Sequence, residues 1–128
     1  MSSPSQLERD LVKCEDMRLH AERACEFVGR RTWAEFESDD LLQAAVIRCV
    51  EVIGEAARSV SPATQASATG IPWSQVIGMR HVLAHDYGAV NLDKVYEVVT
   101  QHLPDLLACL TPLIAELEEQ VGWRDELE

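Results

Sequence analysis

The chain has 128 residues, 22 acidic and 11 basic side chains and a net charge of −11. That length suits one domain, spanning 1–128, with a core that needs neither disulfides nor metal. The acidity argues against bulk electrostatic capture of nucleic acid, DNA included, so any RNA contact has to be local. No uninterrupted apolar run approaches 18 residues, and the opening Met-Ser-Ser-Pro-Ser-Gln lacks the build of a signal peptide. A cytoplasmic protein without a membrane span is expected.

Leu7, Leu11, Cys14, Met17, Ala21, Cys25 and Val28 recur at spacings of three and four, which predicts a first long helix. Gly29-Arg30-Arg31 interrupts it, and Thr32 can cap a short turn carrying Trp33 and Phe36. Asp39 or Asp40 opens a second long helix with the stripe Leu42, Ala45, Val46, Cys49, Ile53, Ala56, Ala57 and Val60. On its solvent side Arg48 and Glu51, and Glu55 and Arg58, are spaced to pair. Ser61-Pro62 reads as an N-cap followed by proline at the first helical position.

Pro72 or Trp73 starts a third helix that runs to Gly88. Asn91 caps the next, whose face is Leu92, Val95, Tyr96 and Val99. Pro104 divides it from a final stripe, Leu103 to Leu117, with a kink expected at Pro112. No segment alternates like a strand. The pattern predicts an all-α, antiparallel bundle of four main helices plus short ones. The four cysteines, at 14, 25, 49 and 109, form no C-x-x-C pair and read as reduced core residues.

The chemistry concentrates in "RHVLAHDYG", Arg80 to Gly88. His81 and His85 have the i,i+4 spacing of a helical zinc pair, but Val82 stands where a glutamate base would, and no third ligand is near. A metal-free ribonuclease needs a proton acceptor for the 2′-hydroxyl, a proton donor for the leaving oxygen and a cation for the phosphorane. Histidine and arginine supply these. On one continuous helix Arg80 and His85 would lie roughly 140° apart, which a two-fold dimer axis near the motif would overcome. The competing reading is a helix cap, with His85 answering the helix dipole and Tyr87 packing on a neighbour.

Arg80-x4-His85-x-Tyr87 has the form of the R-x4-H-x-Y motif of HepT toxins, within the wider HEPN ribonuclease superfamily. "EVIGEAARSVS" (51–61), "IPWSQVIGMRHVLAHDYG" (71–88) and the "LPDLL" at 103–107 also resemble HepT segments, in the family's order. The resemblance implies a HEPN-like helical bundle that dimerises through the motif region. It implies the toxin of a type VII-like toxin–antitoxin system: a metal-independent endoribonuclease that needs no cofactor, with Arg80 and His85 as the catalytic pair. His81 would orient the site or touch phosphate, and Glu55 would support Arg80 through a hydrogen bond, with pairing to Arg58 as the alternative. Tyr87 would be the residue to which an MntA-like minimal nucleotidyltransferase antitoxin transfers AMP. The strong acidity also fits an alternative, a non-enzymatic helical module that recruits such a nucleotidyltransferase.

Overall fold

A computed structural model describes residues 4–83 and 90–127, with the backbone alone for 4, 81, 82 and 123–127. Among these residues every regular element is helical. Helix α1 (Pro4–Val28) buries Cys14, Met17, Ala21 and Val28 of the predicted stripe, with Ala24 added and Leu7, Leu11 and Cys25 half-buried. It stops at Gly29, whose φ of +53° places it in the left-handed region. There the Gly29 amide bonds the Cys25 carbonyl at 2.8 Å. Helix α2 (Trp33–Glu37) opens on a reciprocal cap: the Glu35 amide donates to the Thr32 hydroxyl, and the Thr32 amide donates to the Glu35 carboxylate. Those bonds hold the Glu35 carboxyl below its ordinary value.

Helix α3 (Asp40–Ser59) is capped by Asp39, which accepts from the Leu42 amide at 3.0 Å. The Gln43 amide ties it back to α2 through the carbonyls of Phe36 and Glu37. Its buried face matches the predicted stripe, except that Ala45 is half-buried and Val50 joins the core. Arg48–Glu51 and Glu55–Arg58 do not form ion pairs, whereas Arg18 and Glu22 do. Exposed pairs of this kind gain too little to fix two long side chains.

Helix α4 (Pro62–Ser67) follows the Ser61 cap, as expected. The polar centre beside it was not foreseen. Asp10 on α1 is fully buried. Its carboxylate accepts from the Gln6 amide at 2.8 Å, the Ser61 amide at 3.0 Å, and the Ser61 and Thr64 hydroxyls at 2.5 Å each. Burial alone would raise its pKa, but the bonds from Ser61, Thr64 and Gln6 outweigh that and hold it below the ordinary value. Because Asp10 near the start of α1 meets the residues just after α3, the two helices run antiparallel.

The third predicted helix is not continuous. Helix α5 (Trp73–Ile77) ends at Gly78, whose amide bonds back to Ser74 at 2.9 Å, and Met79 closes a tight turn onto Val76 at 3.1 Å. Helix α6 (Arg80–Leu83) then restarts. Further on, the separation expected at Pro104 does not occur. Helix α7 (Leu92–Glu97), capped by Asn91, passes through a π-helical turn (Val98–His102) into helix α8 (Leu103–Leu127). In that wider turn the Leu103 amide reaches the Val98 carbonyl. Pro104 has no N–H and crowds the carbonyl four residues back, so a locally widened helix accommodates it without a break. The helix also continues through Pro112.

The joined rod packs along α1, as α3 does. Cys25 donates to the Val99 carbonyl, and the Tyr96 hydroxyl donates to the Arg31 carbonyl at 2.6 Å, so the end of α1 meets the start of the rod. The rod therefore runs back antiparallel to α1. Its Leu92–Gly122 stretch is long and apolar enough, by length and composition, to cross a membrane. Scattered charged residues interrupt it, so it contains no long uninterrupted apolar run. Leu103, Leu106, Leu110, Leu113, Ile114 and Leu117 are nevertheless buried within the bundle.

Candidate active site and the groove beside it

Of the predicted site residues, the structure describes Arg80 and Glu55 in full and His81 by its backbone. His85 and Tyr87 lie outside the described residues, as does the expected stop at Gly88. Arg80 is the first residue of α6, directly after the Gly78–Met79 turn. Its side chain is exposed and makes no hydrogen bond or ion pair with any described residue. Leu83 and Val90, which bracket the undescribed 84–89, both pack against the core.

What fixes Arg80 is backbone contact. Gly54 is buried on α3 where α5 and α6 cross it. A Cβ there would sit 3.5 Å from the Ile77 carbonyl oxygen and 3.7 Å from the Arg80 amide nitrogen. These are ordinary contact distances, so the site admits a methyl group and little more. The glycine of "EVIGEAARSVS" thus packs against the turn that opens α6. Glu55 points to the exposed side of α3, and among the described residues it bonds neither Arg80 nor Arg58.

A groove of about 310 Å³ opens between α5 and the α7–α8 rod, beside the turn that delivers Arg80. Val76, Met79, Val98, Leu103 and Leu106 form its floor, and Gln75, Lys94, Glu97, His102 and Asp105 stand at its polar rim. The Glu97 carboxylate lies 3.3 Å from the Lys94 ammonium and 3.5 Å from the His102 imidazole. The hydrogen bond and charge of Lys94, then His102, pull the Glu97 pKa down. Sequence reasoning passed over Lys94 and His102. The available signal was scarcity: residues 71–128 contain three basic side chains, Arg80, Lys94 and Arg124.

No three His, Cys, Asp or Glu side chains converge as a metal site among the described residues. All four cysteines are free. Burial, then Asp10 and Glu15, pushes the Cys14 thiol up to about 12, and burial raises Cys25 and Cys49. Thiols so disfavoured as thiolates are packing residues.

Residues 17–113 match the family described as Ribonuclease HepT-like. The chain belongs to the HepT-like family. Probable ribonuclease HepT of Thermococcus cleftensis is 32% identical over 92 residues, covering 72% of this chain and 84% of that one. A provisionally named RNase of Caldanaerobacter subterraneus subsp. tengcongensis is 31% identical over 91 residues, covering 68% and 81%. Another, of Methanocaldococcus jannaschii, is 30% identical over 105 residues, covering 82% and 90%. No solved structure is a significant match. The HepT-like match includes Gly54, Arg80 and the groove-lining turn, so these features lie inside the family domain.

Proposed function

We propose that this HepT-like chain is a metal-independent endoribonuclease in which Arg80 and His85 form the catalytic pair. The observation that carries the reading is Arg80 itself. In a chain that retains the whole R-x4-H-x-Y string, its backbone is seated against Gly54 while its guanidinium is exposed and uncommitted to any described residue. A guanidinium left without a structural partner is available for a phosphate.

The 2′-oxygen attacks the adjacent phosphorus as its proton passes to a base. The P–O5′ bond breaks, and the 5′-oxygen takes a proton as it leaves, giving a 2′,3′-cyclic phosphate and a 5′-hydroxyl. His85 serves the proton transfers and Arg80 the charge on the phosphorane. His81 contacts phosphate, and Glu55, exposed one residue beyond the Gly54 contact, supports Arg80 when RNA is bound. The active unit is a homodimer joined at the motif region, so that two Arg/His sets share a cleft.

The protein acts as a toxin. Its antitoxin, a minimal nucleotidyltransferase, adds AMP to Tyr87, placing a charged phosphate and a bulky adenosine two residues from His85. Purified chain in chelator should cleave RNA, and Arg80→Ala and His85→Ala should each abolish this. Cleavage unchanged in both variants would overturn the assignment. A nucleotidyltransferase with ATP should label wild type and not Tyr87→Phe; persistent labelling would move the target to another residue. The net charge of −11 favours a second reading, a binding module without nuclease activity, which RNA cleavage by the pure protein would exclude.

A further inference from the structure

We propose that the groove between α5 and the α7–α8 rod is an RNA subsite that receives the base of a nucleotide flanking the scissile bond, while Lys94 takes the phosphate next to that base. This inference rests on the ribonuclease reading above. Met79 lines the groove and Arg80 follows it in the chain, so the phosphate-binding residue of the ribonuclease reading starts one residue from the groove wall. The volume of about 310 Å³ lies at the small end of ligand sites and accommodates a single planar base. The floor of Val76, Met79, Val98 and Leu103 is aliphatic, a surface on which a base face is desolvated without sequence preference. The rim groups Gln75 and His102 can donate to or accept from a base edge.

Charge selects the occupant. An acidic protein can hold RNA only where its few cations gather. Of the three basic side chains in residues 71–128, Lys94 lines this groove and Arg80 follows its lining residue Met79, and the rim also carries the carboxylates Glu97 and Asp105. Lys94 is parked on Glu97 at 3.3 Å, with both side chains about half exposed. An exposed pair of this kind is held weakly and exchanges readily for a phosphate.

A fluorescent 2′-O-methyl RNA pentanucleotide, which cannot be cleaved, tests the subsite on the full chain. It should slow N-ethylmaleimide labelling of Cys109, which lines the groove, relative to Cys25, which does not. Lys94→Glu should weaken binding about tenfold and reduce the dependence of log Kd on log salt by about 0.7, the value for one phosphate contact on a single strand. Glu97→Gln should strengthen binding severalfold by releasing Lys94. Both residues are exposed, so the variants should fold. If RNA is cleaved but the oligonucleotide leaves Cys109 labelling unchanged and Lys94→Glu binds as wild type, the subsite is refuted and the ribonuclease reading stands. If the oligonucleotide protects Cys109 without any cleavage of ordinary RNA, the groove binds RNA but the ribonuclease reading, and with it the groove's place beside a scissile bond, falls. Protection by 5′-AMP but not by the pentanucleotide would make the groove a mononucleotide pocket and overturn the proposal.

Discussion

Asp10 and Arg80 are both charged helix residues, and the fold treats them in opposite ways. Asp10 is enclosed at the junction of α1 and α4 and saturated by donors from Gln6, Ser61 and Thr64. Arg80 stands at the start of a four-residue helix with an exposed side chain and a backbone held against Gly54. A charge whose hydrogen bonds are all satisfied internally holds structure together and has nothing left for a ligand. A charge fixed at its backbone but unsatisfied at its tip is poised to meet one. Among the described residues the buried polar side chains, Asp10 and Thr64, both lie at the α1–α4 junction, away from the start of α6.

Substitutions at the two residues should separate these roles. The largest effect is expected from Arg80→Ala: RNA cleavage falls by at least 10²-fold with the melting temperature unchanged, because no described residue loses a partner. A large drop in melting temperature would show that Arg80 is structural and collapse the contrast. Asp10→Ala should do the reverse. It leaves two hydroxyls and two amides at this enclosed junction without their acceptor, costing about 3 kcal/mol in urea denaturation, while activity per folded molecule is retained.

Gly54 connects the two regions. Gly54→Leu should push α5 and α6 away from α3, destabilise by about 1–3 kcal/mol, and reduce cleavage further than the fraction unfolded explains. Gly54→Ala should be near neutral or slightly stabilising, since a Cβ meets only ordinary contacts and alanine favours helix. Equal loss in both variants would mean that close approach is not what seats Arg80. The smallest effect concerns pH. The folded pKa of Asp10 lies below its ordinary value, so its stabilisation is fully present above that ordinary value and is lost as pH falls through the depressed one. Wild type should lose stability on acidification more steeply than Asp10→Asn, measured by melting temperature between neutral and acid pH.

Much of this was legible from local pattern. The caps at Thr32, Asp39, Ser61 and Asn91, the glycine stop at 29 and the buried stripes of α1 and α3 each depend on residues within a few positions of one another. Other readings of local pattern failed, two of them in the backbone. The third helix was expected to run unbroken to Gly88, yet α5 ends at Gly78. Proline at 104 looked like a divider, yet a π-helical turn absorbs it. In both cases packing against neighbouring helices decides between alternatives that the local sequence leaves nearly balanced.

Periodicity and capping by themselves determined the helical class, most helix starts and the identity of the core faces, because helix geometry ties each of these to spacings of three or four residues. The sequence also contained the motif string and its resemblance to HepT. Tertiary structure alone decided which polar residues are used up and which are left available. Asp10 meets Ser61 and Thr64 across 51 and 54 residues, and Gly54 meets Arg80 across a helix crossing. The groove joins Met79, in the turn before α6, to Lys94 and His102 on the rod, residues that no local rule brings together. Burial and partner choice are properties of surfaces that come into contact only when the bundle closes, so no spacing within one helix could have specified them.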